Sequence, residues 1–512
     1  MASVGRVIGS TSLRSYRFVI KKEAEKHVRR DEFVTVEESV TGIEILGVIK
    51  EINITNELLP DEFGRDLRIS DFILGEGEYP VVSVKVLGYK TPGGLELPRH
   101  GIKPGSEVSL ASDQILKEIL DQDPDKSLHV GSLSTREKVP VYLSANELVS
   151  RHCAVLAMTG AGKSYSVGVV VEELMKKKAS VVVFDPHGEY KQMRFDDSKV
   201  KIFSLEGDKK IKIEAASLEI PDFANLIPDL TTTQQDLLDE ILSVAYRFYE
   251  KYDFKLILKI LHLLYELKKG GELKNHDLDL SVFPEPILRG IVKKVGLPSI
   301  GGLMRRIRRL DRMRIFEIEG TKLDEVVSGN QLSVIDLSDA DERISETIIS
   351  IICRGIFYAR RRYVKDEENG GNVLPIPCFI VVEEAHNFIP RSMDERTVLS
   401  KYILRRIARE GRKFGVGLCI VSQRPGKLDS DVLSQCNTQL IMKIVNPADQ
   451  EYIRQSVESV TEDVVKDLPG LALGEAIISG SAVKVAVPVK IRERETEVGG
   501  SDIDIVGMWE KK

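Results

Sequence analysis

Eight residues, Ala157-Met158-Thr159-Gly160-Ala161-Gly162-Lys163-Ser164, limit this chain more than any other stretch. They follow an apolar run, Cys153 to Leu156, that reads as a buried parallel strand. They precede a segment in which Val167, Val170, Val171 and Leu174 recur at helical spacing. Strand, glycine-rich turn and helix in that order make a phosphate-binding loop. Backbone N–H groups close around phosphate oxygens, Lys163 brings a point charge to the β- and γ-phosphates, and the Ser164 hydroxyl suits Mg²⁺. The helix that follows aims its N-terminus at the anion. Thr159, Gly160, Ala161, Gly162, Lys163, Ser164 and Tyr165 are therefore the candidate nucleotide contacts. Such loops usually open on Gly; here the position is Ala157, which fits if its φ stays negative. A turn that binds nothing is the alternative, and the strand–loop–helix context weighs against it.

A chain of 512 residues is too long for one core, so roughly two to four domains are expected. Hydrophobic residues make up 42% and charged residues 30%, a globular balance. The net charge of −6 argues against attraction of nucleic acid to the whole surface, while leaving room for a local basic channel. Cys153, Cys353, Cys378, Cys419 and Cys436 form no CxxC pair, and most sit in or beside apolar runs, as buried thiols in a reducing compartment do. No apolar run reaches the ~18 residues of a membrane span, and no leader-like segment opens the chain. A cytoplasmic protein, not embedded in a membrane, is expected.

Residues 1–112 read as a small β-barrel. Val82, Val84 and Val86 alternate with polar neighbours, Ile43 to Ile54 is rich in β-branched residues, and turns are signalled at Pro92-Gly93-Gly94 and Pro104-Gly105. From about 130 the pattern becomes α/β, with strands expected at 153–157, 180–185, 332–337, 378–383, 416–422 and 438–445 in a mostly parallel sheet. Residues 215–320 read as a helical insertion: Leu237, Leu238, Ile241, Ala245 and Phe248 share a face, and Leu256 to Leu267 has helical period. The expected division is 1–112 barrel, 113–214 first part of the α/β core, 215–320 insertion, 321–470 second part of the core, and 471–512 a C-terminal β segment and tail.

A second apolar strand, Cys378 to Val382, delivers Glu383 and Glu384 at its C-terminal end, where ligands sit in open α/β sheets. Glu383 is the candidate Mg²⁺ holder, directly or through waters. Glu384 is the candidate base for the attacking water. Acidic residues capping a helix would give the same pattern, but the phosphate loop in the same chain favours catalysis. A third strand, Val416 to Val421, ends in Ser422-Gln423-Arg424-Pro425; Gln423 can report on the γ-phosphate or the water. Asp185, ending another strand, is a candidate for the site's network or Mg²⁺ waters, and His187 beside it reads as structural. Among many arginines, Arg151 and Arg409 are candidates to act on nucleotide, often across a subunit boundary. Arg305, Arg308, Arg309 and Arg312 read first as a solvated basic face.

The ordered set AMTGAGKS, FDPHGEY, VVEEAH, RRIAREGRKFG and SQRP resembles the HerA family of archaeal DNA translocases, within the HerA/FtsK class. The resemblance implies a RecA-like P-loop core with a helical insertion, a small N-terminal barrel and a C-terminal extension. It implies a homo-hexameric ring that uses ATP and Mg²⁺ to pump double-stranded DNA at the nucleoid. It also implies work with the NurA nuclease in end resection, near the Mre11–Rad50 complex. Carried over by position, Lys163 and Ser164 fall on the phosphate and Mg²⁺ residues, Glu384 on the catalytic glutamate, Gln423 on the sensor, and Arg151 and Arg409 on nucleotide-acting arginines. Glu383 stands where Asp is usual. Two rivals are a conjugation or secretion ATPase of the same superfamily, and a scaffold that binds nucleotide but turns it over slowly.

Overall fold

The computed structural model describes residues 3–56, 78–91, 94–249, 251–270, 285–366, 372–392, 398–499 and 508–509. It divides into two units: Met1–Asn146 with Thr438–Asn446 and Glu458–Glu493, and Glu147–Asn437 with Pro447–Val457 and Arg494–Lys512.

The first unit opens with a barrel of β1 (Ser3–Ile8), β2 (Ser15–Ile20), β3 (Phe33–Glu37), β4 (Glu44–Asn56), β5 (Glu78–Thr91) and β7 (Glu107–Leu110), with β6 (Gly94–Glu96) folded back on the end of β5. Strand order β2-β1-β7-β3-β4-β5 is closed by antiparallel pairing of β2 with β5. Closure needs inward apolar residues on every strand. Val4, Val7, Phe18, Val34, Val36, Ile45, Ile49, Val82, Val84, Val86 and Val108 supply them, so the alternation read in β5 is the barrel's inner face. The Pro104-Gly105 turn precedes β7; Pro92 and Gly93 lie outside the described residues. The same unit holds an antiparallel sheet ordered β18 (Thr438–Ile441), β19 (Glu475–Gly480), β20 (Val487–Ile491), β8 (Ser127–Leu133) and β9 (Arg136–Ser144).

The second unit is built on parallel strands in the order β12 (Lys199–Phe203), β15 (Gln331–Asp336), β11 (Ser180–Asp185), β16 (Cys378–Val382), β17 (Val416–Ser422) and β10 (Cys153–Leu156). β10, β11, β15, β16 and β17 are buried throughout, which is why they read as continuous apolar runs. β12 was not expected: its alternation Lys-Val-Lys-Ile-Phe is that of a half-exposed edge strand and is too short to stand out. The insertion consists of helices Ile220–Leu226, Thr232–Phe248, Phe254–Lys268, Glu285–Lys294 and Leu297–Asp311. Thr231 and Gln234 form a capping box on the second of these, and Asp253 caps the third through the Leu256 N–H. Leu237, Leu238, Ile241 and Ala245 are buried as expected, and Phe248 is half-buried. The insertion's ends are tied by a two-residue parallel ladder, β13 (Ile213–Glu214) with β14 (Phe316–Glu317). The fold is thus α/β, a RecA-like core with a helical insertion, together with an N-terminal barrel and C-terminal β-strands. All five cysteines are buried thiols, and none is in a disulfide.

Glu346 lies in the helix Glu342–Lys365 and is 8% exposed; its Oε1 accepts the Ser400 N–H at 3.4 Å. Burial pushes its pKa up from 4.5 to about 7. The folded value exceeds the unfolded one, so the folded state holds the extra proton between those values. The contribution is full below the unfolded pKa and is lost as pH rises through the folded one. Glu346→Gln should therefore leave the unfolding free energy nearly unchanged at pH 4 and raise it at pH 8, by no more than ~3.4 kcal/mol. Denaturant titrations of both proteins at the two pH values check this; an equal difference at both would contradict it.

Candidate active site at the sheet edge

Register brings the chemistry to one edge. Leu156 pairs with Ser422, Val382 with Ile420, and Phe184 with Val382, so β10, β11, β16 and β17 end together. Beyond those ends lie Ala157, Asp185, Glu383, Glu384 and Gln423. Ala157 continues the ladder by donating its N–H to Ser422 O at 3.2 Å, and it keeps a negative φ, so its Cβ is accommodated. Gly160 and Gly162 have φ of 78° and 96°, conformations that favour glycine. Gly162 caps the helix Lys163–Lys176 and turns its first N–H groups toward the loop.

The Lys163 ammonium lies between two buried carboxylates, 2.6 Å from Glu384 Oε1 and 3.3 Å from Glu383 Oε2. Burial opposes its charge, but the two carboxylates outweigh burial and its pKa is raised. For Glu383 burial dominates and raises the pKa, while Lys163 and a hydrogen bond from the Tyr190 hydroxyl pull it back. Glu384 stands at φ +48°, a left-handed backbone that costs a non-glycine residue about 1 kcal/mol or more. Its Oε2 is 3.2 Å from His386 Nδ1 without forming a hydrogen bond, which leaves a buried acceptor orphaned. His386 Nδ1 is also 3.2 Å from Ser422 Oγ. Burial lowers the His386 pKa despite Glu384, so the ring is neutral near pH 7 and can donate or accept. Thr159 Oγ1 hydrogen-bonds Gln423 Oε1, tying the loop to the third strand.

Asp185 accepts the N–H groups of His187 (3.2 Å), Gly188 (2.8 Å) and Tyr190 (2.9 Å). These bonds fold the turn that sets Tyr190 against Glu383. His187 is drawn into the site, with Nε2 3.8 Å from Glu384 Oε1. The Tyr165 hydroxyl accepts the Arg494 N–H at 2.7 Å, and the Arg494 guanidinium lies 5.9 Å from the ring centre. That guanidinium crosses the helix at Gly168, where a Cβ would come within 2.6 Å of it. Glu172 Oε1 accepts the N–H groups of Glu495 (3.0 Å) and Thr496 (2.9 Å). The segment Arg494–Gly499 is thereby strapped onto the phosphate-loop helix. Arg151 and Arg409 lie apart from this cluster: Arg151 pairs with Glu147 at 2.8 Å and Arg409 with Asp431 at 3.0 Å.

Tyr190, His386 and Arg494 escaped the sequence reading. Only Tyr190 had a local signal, the turn Asp185-Pro186-His187-Gly188, and nothing in it named Glu383 as partner.

The donors fit a nucleoside triphosphate with Mg²⁺. The loop N–H groups and Lys163 suit the phosphates, Ser164 and Glu383 offer oxygen ligands, and the orphaned Glu384 oxygen suits a water. Strand order and site together have the form of a P-loop nucleotide-hydrolysing enzyme. Residues 128–356 match the family model described as helicase HerA, central domain. A probable helicase of Methanocaldococcus jannaschii is 33% identical, over 99% of this chain and 94% of that protein. A DNA double-strand break repair helicase HerA of Pyrococcus furiosus is also 33% identical, over 99% and 97%. Among solved structures, VirB4 of Thermoanaerobacter pseudethanolicus is similar at 17% identity, covering 73% of this chain and 98% of that one, with a TM-score of 0.49. The chain belongs to the HerA helicase family.

Tyr190→Phe removes a donor that favours ionised Glu383, so its carboxyl becomes harder to deprotonate. The acid limb of the ATPase pH–rate profile should move to higher pH, with activity best kept at the alkaline end. A profile superimposable on the parent's would show that this hydrogen bond plays no part.

Proposed function

We propose that this chain is an ATP-driven motor on double-stranded DNA, assembled as a homo-hexameric ring. It acts in the cytoplasm, at the nucleoid, in break-end resection with a NurA-type nuclease and near Mre11–Rad50. The observation that carries the reading is the gathering of Lys163, Glu383, Glu384 and Gln423 at one sheet edge. Similarity along nearly the whole chain to a break-repair helicase supports the DNA substrate.

The loop backbone, Lys163 and the Gly162-capped helix would bind the triphosphate. Phosphate oxygens compete with Glu384 for Lys163, and a lysine drawn to phosphate releases the Glu384 carboxylate. Glu384 would then orient a water and take its proton as that water attacks the γ-phosphorus and the bond to the β-phosphate oxygen breaks. Neutral His386, beside Glu384 and Ser422, would hold the freed carboxylate. Ser164 and Glu383 would hold Mg²⁺, which would neutralise phosphate charge when bound. Gln423, bonded to Thr159, would pass γ-phosphate occupancy to β17. Arg151 and Arg409 pair with acids away from this edge, which fits a role at a neighbouring subunit's nucleotide.

Lys163→Ala and Glu384→Gln should each reduce duplex-stimulated ATPase at least ~100-fold. Survival of stimulated turnover in Glu384→Gln would overturn the base assignment. Slow turnover in the parent with no response to duplex would point to a scaffold; co-sedimentation with membranes and no duplex response would point to a secretion-type motor. Mixing Lys163→Ala with Arg409→Ala tests the ring: if Arg409 acts across subunits, roughly a quarter of the randomly formed interfaces regain an intact site. No recovery from two separately folded, inactive variants would place Arg409 outside the neighbour's site.

A further inference from the structure

The structure separates two arginine clusters that look alike in sequence. On the helix Leu399–Phe414, Arg405 and Arg409 both bind the Asp431 carboxylate, and Arg406 lies against Glu410 and Tyr358. On the helix Leu297–Asp311 the arrangement differs. Ile300, Leu303, Ile307 and Leu310 are buried against the insertion, and Arg306 pairs with Asp229 at 2.6 Å. Arg305, Arg308, Arg309 and the C-capping Arg312 are exposed and, at i, i+3, i+4 and i+7, share one face. Among the described residues none of these four makes an ion pair with an acid; Arg309 reaches Asp229 only as a longer-range charge behind Arg306.

Like charges three and four residues apart destabilise a helix. The helix dipole favours cations in the last turn, which accounts for Arg308, Arg309 and Arg312 but not for Arg305, a turn earlier. Arg305 therefore carries charge that the helix dipole does not account for, and no acid among the described residues pairs with any of the four, in a chain whose net charge is −6. Guanidinium groups ordered along one helical face match a row of backbone phosphates, which they can bind bidentately.

We propose that Arg305, Arg308, Arg309 and Arg312 form a contact surface for the phosphate backbone of duplex DNA on the helical insertion, outside the ATPase site. The proposal rests on the duplex-motor reading above and adds where the insertion touches the duplex. Contacts of this kind are independent of base sequence and release counterions.

The test is fluorescence anisotropy of the full chain with a short labelled duplex across a salt series. Arg305→Gln/Arg309→Gln, losing two contacts, should flatten the slope of log affinity against log salt by roughly 1.8 and weaken binding about 10-fold or more at moderate salt. Arg305→Lys/Arg309→Lys keeps the charges and should hold most of the slope, which separates a phosphate contact from damage to the helix. ATPase without DNA should match the parent in both. An unchanged slope in the glutamine variant would overturn the proposal and leave the face to an acidic protein surface. A parent chain that binds no duplex at any salt would overturn the duplex-motor reading and this proposal together.

Discussion

Two carboxylates, Glu383 and Glu384, are held almost wholly out of water at the end of a buried strand, and Lys163 lies between them. An unpaired buried carboxylate is expensive, so the surroundings of this pair are tightly constrained. Tyr190 must bring its hydroxyl to Glu383, and Asp185 must fold the turn that carries it there. Glu384 must adopt a left-handed backbone for its carboxylate to reach Lys163 while the chain enters the next short helix. A lysine able to bind carboxylates is by its chemistry equally able to bind phosphate.

The phosphate-loop helix supports that edge from behind. It is buried from Ser166 to Met175, charged Glu172 included. Burying Glu172 is tolerable because the strap from Arg494 supplies backbone donors and a guanidinium 3.7 Å away. Gly168 lets the Arg494 side chain cross at close range, and Gly499 lies against the Glu189 backbone, beside the turn that holds Tyr190. The strap therefore touches both the helix carrying Lys163 and the turn carrying the Glu383 partner. Displacement of Arg494 would disturb two parts of the site at once, although neither Arg494 nor Glu172 touches the reacting atoms.

Much of the core was legible because parallel strands buried on both faces leave continuous apolar runs, and the chemistry follows each run directly. Cys153–Leu156, Cys378–Val382 and Val416–Ser422 each announced the residues at their ends. β12 escaped because an edge strand of five residues with one exposed face carries little pattern. Tyr190, His386 and Arg494 escaped for a different reason. For Tyr190 and Arg494 the importance lies in which distant residue each one meets, and sequence separation hides that: Tyr190 and Glu383 are 193 positions apart, and Arg494 and Tyr165 are 329; His386 adjoins Glu384 in sequence, but its burial beside Ser422 leaves no local trace.

By itself the sequence determined that this chain has a glycine-rich loop of phosphate-binding form, places acids at a sheet edge and carries several clusters of arginine. Local backbone sterics and hydrophobic periodicity act over a few residues, so short motifs suffice for that. Only the tertiary structure decided which side chains share the site's charge. It alone placed Asp185 in the turn that carries Tyr190, paired Arg405 and Arg409 with Asp431, and left Arg305, Arg308, Arg309 and Arg312 exposed. Electrostatic pairing depends on distance and burial in space, and strand order in a parallel sheet sets both without leaving a local trace.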